Sequence, residues 1–187
     1  MDTPLLTTLA DAAEFLGLHD VPYALIGGLA VSLRGQTRLT VDVDMVIGCD
    51  VPTALDLLKQ VSTSPFMPLF SGASEVVQQS MILPLRHRQT GVKLDLAIGT
   101  SGFEKQVLER ATPIELAKQS IWVATAEDLI IMKVLAGRPQ DQQDVDGIAR
   151  AHRDELEWTY CLNTAKLLEE ALDIDLVQRI EDLRSEE

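Results

Sequence analysis

Apolar positions recur at helical spacing from Leu5 to Leu16, and a short unbroken apolar run then fills residues 21–26. The first pattern predicts a helix with one buried stripe, and the second a strand. Thr3 is placed to cap that helix, with Pro4 at its first position. Gly27 and Gly28 then turn the chain into a short helix, LAVSLR, that stops at Gly35. A second strand covers residues 41–47. Pro52 opens a helix that ends near Val61. Residues 62–74 read as loop, with a short helix around 74–80.

Further on, MILPLRHRQTGVKLDLAIG sets two apolar runs either side of Arg-Gln-Thr-Gly, which predicts a β-hairpin. Residues 102–110 read as helix, and 113–117 and 120–123 as two short strands. From Thr125 the periodicity is helical to the end, with breaks near 137–139 and 153–156. The expected class is therefore α+β, with a mixed core over residues 1–124. A helical part over 125–187 is expected to pack on that core.

Composition narrows the function classes. Apolar residues make up 46% and aromatics only 4%, so the core is aliphatic. No run of eighteen apolar residues suggests a membrane span. The acidic, periodic start MDTPLLTTLADAAEF is unlike a secretory signal. Cys49 and Cys161 stand far apart and form no metal-spaced pair. A reduced, cytoplasmic setting is the expectation. The net charge of −13 argues against clamping a long nucleic acid. A small substrate, a short single-stranded end or a basic protein partner suits it better.

The second strand carries an anomaly. In VDVDMVI, alternation puts Asp42 and Asp44 on one face and Val41, Val43 and Met45 on the other. Carboxylates two residues apart on a strand lie roughly 7 Å apart and repel, and burying either alone costs several kcal/mol. A positive neighbour or a divalent cation would relieve them. An exposed rim would also tolerate them. A second such strand, VKLDLAIG, carries Asp95 on a face shared with Lys93. If the two strands are neighbours, three hard oxygen donors converge, a set suited to magnesium. A two-ion site of this kind holds both oxygens of a phosphoryl displacement.

Gly27 and Gly28, between strand and helix, allow a phosphate to approach bare backbone. A tight turn also uses glycine for steric reasons alone. In combination, ALIGGLAVSLRGQTRLTVDVDMVI resembles the signature of the nucleotidyltransferase superfamily that includes DNA polymerase β. That signature is an apolar residue, Gly, then Gly or Ser, a spacer, and Asp-x-Asp in an apolar strand. Thirteen residues separate Gly28 from Asp42. Asp95 matches the third carboxylate. The likeness extends through KLDLAIGTSGFEKQVLERA and ATAEDLIIMKVLAGRPQDQQDV, and it covers roughly residues 20–150. It points to the minimal bacterial and archaeal branch containing toxins of abortive-infection systems. Gly28 departs from the Ser found at that position in many members.

The resemblance implies a nucleotidyltransferase fold, a small mixed sheet with packed helices, and transfer of a nucleoside monophosphate from a nucleoside triphosphate such as ATP to an acceptor hydroxyl. It implies that Asp42, Asp44 and Asp95 bind magnesium and carry catalysis, and that Gly27 and Gly28 cradle phosphate. The acceptor is open among a transfer RNA, a protein and a small hydroxylated molecule. A toxin–antitoxin or phage-defence role with a cognate protein partner is implied. The alternative is a non-catalytic member that binds a partner, such as an antitoxin.

Other residues hold two readings each. Lys133 is the only polar side chain in residues 129–137. Its ammonium forms a buried salt bridge or neutralises the triphosphate, and the resemblance favours the triphosphate. Arg138 pairs with Asp141 or Asp144, or lines the nucleotide pocket. Arg38 neutralises the acidic face or touches phosphate. Arg86, His87 and Arg88 form a basic cluster at the hairpin tip, either a solvated turn or an acceptor-phosphate contact. Trp122 and Trp158 read as packing residues.

Overall fold

A computed structural model describes residues 3–35, 37, 39–99, 102–116 and 119–185. The chain forms two compact units, one of Met1–Leu29 with Leu39–Ala124 and one of Ala30–Arg38 with Thr125–Glu187. The change of unit after Ala124 falls where the pattern turns wholly helical, while the segment from Ala30 groups with the later helices.

The first unit begins with α1 (Pro4–Leu18), where Thr3 Oγ1 accepts from the Leu6 N–H at 3.3 Å and Pro4 sits in the first turn. Its strands are β1 (Tyr23–Ile26), β2 (Asp42–Ile47), β3 (Phe66–Pro68), β4 (Ile82–His87), β5 (Lys93–Ile98), β6 (Thr112–Leu116) and β7 (Gln119–Val123). Between them lie α3 (Val51–Gln60), α4 (Ala73–Ser80) and α5 (Gly102–Arg110), while α2 (Gly27–Leu33) leads into the second unit. The strands form one sheet in the order β3-β4-β5-β2-β1-β7-β6. Within it, β2 and β5 run parallel, as do β1 and β7, and the remaining pairs are antiparallel.

One face of the central strands is wholly apolar. Val43, Met45 and Ile47 of β2, Leu94 and Leu96 of β5, and Leu83 and Leu85 of β4 are all fully buried. Burying each such side chain stabilises by about 1.5–3 kcal/mol. Helix α1 covers this face: the Phe15 ring lies 5.9 Å from Phe66, which in turn lies 5.3 Å from the His87 ring. The opposite face carries Asp42, Asp44, Lys93 and Asp95, all half-buried.

Strand β3 lies inside the stretch expected to be loop. It has only three residues, is bracketed by Pro65 and Pro68, and pairs at the sheet edge with β4. Three residues show no alternation, so its order comes from its partner.

The second unit contains α6 (Ala126–Ala136), α7 (Pro139–Ala151), α8 (Trp158–Leu172) and α9 (Val177–Ser185). The break between α8 and α9 was not apparent in the periodicity. Asp173 ends α8 in a left-handed conformation at φ 55°, and Glu169 Oε2 accepts from the Leu176 and Val177 N–H groups at 2.9 Å each. Thr125 caps α6, accepting from the Asp128 N–H at 3.2 Å. Tyr160 Oη donates to Asp128 Oδ1 at 2.6 Å, tying α8 to α6.

Helix α6 is apolar on nearly all sides, and Lys133 is only 5% exposed. Its Nζ lies 3.0 Å from Asp141 Oδ1 and 2.8 Å from Asp144 Oδ2, both on α7 and both buried. The Arg138 guanidinium holds the same Asp141 through Nε at 2.7 Å and Nη2 at 3.0 Å. Burial alone would raise the Asp141 carboxyl. The hydrogen bonds from Arg138 and Lys133 and the Lys133 charge outweigh it and bring it down to about 2, from an ordinary 3.8.

Removing one member of a buried ion pair leaves the others uncompensated. Lys133→Met is expected to lower unfolding free energy by about 3–5 kcal/mol, measured by urea denaturation at pH 7. Because folding depresses the Asp141 pKa, its contribution is present above 3.8 and fades as pH falls toward about 2. Between those values the wild-type protein should lose stability more steeply than Asp141→Asn.

Candidate functional site

The two aspartate strands are neighbours. Parallel pairing of β2 with β5 sets Asp44 opposite Asp95 and Asp42 opposite Lys93. Adjacent strands lie about 4.8 Å apart, so the Asp44 and Asp95 carboxylates leave the sheet side by side. Residues 42, 44, 93 and 95 thus share one face, because the pairing keeps the alternation of both strands in phase.

Each carboxylate has its own surroundings. Asp42 Oδ1 accepts from Thr40 Oγ1 at 3.0 Å. Asp95 Oδ2 accepts from Lys93 Nζ at 2.5 Å. Asp95 Oδ1 is buried and has no hydrogen-bond partner. A buried carboxylate oxygen without a donor is costly and calls for an explanation. Asp44 is set against the glycine turn. Ile26, the last residue of β1, pairs with Asp44, and Gly27 follows at φ +67°. A Cβ at Gly27 would stand 2.2 Å from Asp44 Oδ2. Only glycine fits there, for its left-handed backbone and for the carboxylate that occupies the missing side chain's space. Gly28 is buried behind it.

Lys93 is the cation paired with Asp95 on this face. Its hydrogen bond to Asp95 raises its pKa most, burial opposes that, and the charges of Asp95, Asp42 and Asp44 raise it further. The sequence placed Lys93 beside Asp95 without assigning it a part. The signal was the K-x-D spacing, which puts both residues on one face. Among the described residues, no three Asp, Glu, His or Cys groups are gathered as a metal-binding set. With an ammonium on Asp95 and a hydroxyl on Asp42, the carboxylates are partly satisfied without an ion.

Lys133 and Arg138 are engaged with Asp141 and Asp144 in the helical unit, which matches the salt-bridge reading of each. Arg38 lies outside the described residues. Arg86, His87 and Arg88 have separate partners. Arg86 stands across from Lys93, and its Nη1 donates to the Gly91 carbonyl at 2.8 Å. Arg88 is exposed, and its Nε reaches the Ser64 carbonyl at 3.4 Å. His87 is buried on the apolar face with Nε2 2.8 Å from Asp11 Oδ2, while Nδ1 accepts from the Thr90 N–H at 3.0 Å. Period-two alternation puts His87 on the face opposite Arg86, and Arg88 follows the end of the strand. Trp122 is about half exposed on β7, opposite Pro113, rather than in the core. Cys49 and Cys161 form no disulfide with each other. No helix among the described residues is long and apolar enough to cross a membrane.

A family model described as "Nucleotidyltransferase of unknown function" (DUF6036) matches residues 4–183. The chain is similar to the crystal structure of an antigenic nucleotidyltransferase-like protein from Paracoccidioides brasiliensis, at TM-score 0.57 and 20% identity over 94% of this chain and 91% of that one. It is also similar to the antibiotic-resistance factor ANT(2'')-Ia, at TM-score 0.54 and 13% identity over 99% of this chain and 91% of that one. Lincomycin-bound LnuA, a lincosamide antibiotic adenylyltransferase, aligns at TM-score 0.50 and 14% identity over 76% of this chain and 94% of that one. These likenesses establish the nucleotidyltransferase fold expected from the sequence. No curated protein matches the chain.

Gly27→Ala is expected to destabilise the protein by about 1–3 kcal/mol, since a left-handed alanine is strained and its methyl group displaces Asp44. Urea denaturation checks the loss.

Proposed function

The chain belongs to this nucleotidyltransferase family, and on that premise we propose that it transfers a nucleoside monophosphate from a nucleoside triphosphate to an acceptor hydroxyl. The acceptor oxygen attacks the α-phosphorus, the bond to the β-phosphate oxygen breaks, and pyrophosphate leaves. One observation carries the proposal: Asp44 and Asp95 stand side by side on parallel strands against the Gly27 turn, with Asp42 two residues away.

The donor chemistry suits a hard divalent cation, although no three such groups are gathered among the described residues. Asp44 and Asp95 supply oxygen donors side by side, and Asp95 Oδ1 is buried with no partner, as an oxygen reserved for an ion or a proton would be. Asp42, Asp44 and Asp95 would hold magnesium, which when bound would neutralise the charge that phosphoryl transfer develops. The chain's own part is positioning and electrostatics. Gly27 offers bare backbone beside Asp44, so a phosphate can come close to the acidic strand. Asp95 would take the acceptor's proton.

Likeness to two antibiotic-modifying structures supports a small hydroxylated acceptor. Resemblance to the abortive-infection branch supports a transfer RNA or protein acceptor and a cognate protein partner. Each labelled triphosphate, with magnesium, total RNA, protein extract and a panel of hydroxylated antibiotics, distinguishes these by the fraction that gains label. Asp44→Asn and Asp95→Asn are each expected to reduce transfer by about 100-fold or more while leaving the melting temperature equal or higher, since each removes a repelling charge. Absence of transfer from all four triphosphates, with no thermal stabilisation by triphosphate and magnesium, would favour the non-catalytic binding module.

A further inference from the structure

We propose that Lys93 is a resident counter-ion that holds Asp95 in the metal-free protein and yields it when metal and triphosphate bind. This inference rests on the metal-and-triphosphate reading above.

The geometry singles out this lysine. It stands two residues before Asp95 on the same face of β5, and across the parallel ladder it faces Asp42. Its Nζ lies 2.5 Å from Asp95 Oδ2. Three carboxylates crowd one patch, and the other cation beside it on β4, Arg86, has turned its Nη1 to the Gly91 carbonyl. Without Lys93, Asp95 would lose the ammonium that its Oδ2 accepts from.

The pair is built to open. The Lys93 side chain is 40% exposed and that of Asp95 21%. A flexible four-carbon stem at that exposure swings its ammonium into water without moving the strand. Ion pairs this accessible contribute only about 0–1 kcal/mol, so a divalent ion can displace one. Lys133 is the contrast: it is 6% exposed and clamped by two carboxylates that are equally buried. Displacement of Lys93 leaves an ammonium beside the site, and a polyanionic triphosphate supplies its next partner. Metal and triphosphate therefore assist each other, because each removes a partner the other would leave unpaired.

The test compares wild type, Lys93→Met, Lys93→Arg and Asp95→Asn by calorimetry with magnesium alone, and then with the magnesium complex of a non-hydrolysable triphosphate analogue. Lys93→Met should bind magnesium alone about 3–10-fold more tightly than wild type, since no internal cation competes. It should bind the analogue complex more weakly than wild type. Lys93→Arg should follow wild type in both, and Asp95→Asn should lose the magnesium response. Should Lys93→Met fail to fold by circular dichroism, Lys93→Gln takes its place with the same expectation. Magnesium binding to wild type with equal or weaker binding to Lys93→Met would overturn the counter-ion role while leaving the enzymatic reading standing. No response of any variant to magnesium or to the analogue complex would overturn the enzymatic reading, and this inference with it.

Discussion

Two carboxylates set side by side repel each other, and the parallel register of β2 and β5 forces Asp44 and Asp95 into that position. The register is not free to slip. Moving either strand by one residue would turn Leu94, Leu96, Val43 and Met45 out of the core and drive the aspartates into it. The aliphatic face therefore determines where the acidic face stands. Apolar burial, worth a few kcal/mol per side chain, holds together a patch that its own charges would push apart.

The glycine turn closes the same patch from the side. Gly27 follows the residue that pairs with Asp44, and the Asp44 carboxylate fills the volume its Cβ would need. Position and chemistry are coupled there. A side chain at Gly27 would strain the turn and displace the carboxylate, so backbone geometry and acidic site stand or fall together.

Two lysines show how burial decides a cation's part. Lys133 lies in an apolar helix and holds two buried aspartates of the next helix, which makes it a structural pin between α6 and α7. Lys93 lies on a half-open sheet face beside three aspartates and keeps access to water. In the sequence the first looked the more functional, because a lone charge in an apolar run stands out. The second was inconspicuous, because a charged residue next to an aspartate is ordinary.

Much was decided locally. Helical periodicity located α1 and the helical stretch from residue 125 onward, though not the α8–α9 break, and the hairpin followed from two apolar runs around Arg-Gln-Thr-Gly. Alternation within each strand already put Asp42 with Asp44 and Lys93 with Asp95, because strand geometry repeats every two residues. The same rule, applied to Arg86, His87 and Arg88, sets His87 on the other face from the two arginines. What no local pattern contains is which strands pair and in what register. That is fixed by long-range packing of the aliphatic face. Strand β3 exists only because β4 offers it an edge. The partners of Lys133 lie on α7, a helix away, and its ammonium bonds them because burial leaves it no water. The sequence alone determined which residues share a face. The tertiary structure decided which faces meet, because pairing energy comes from contacts between segments far apart in the chain.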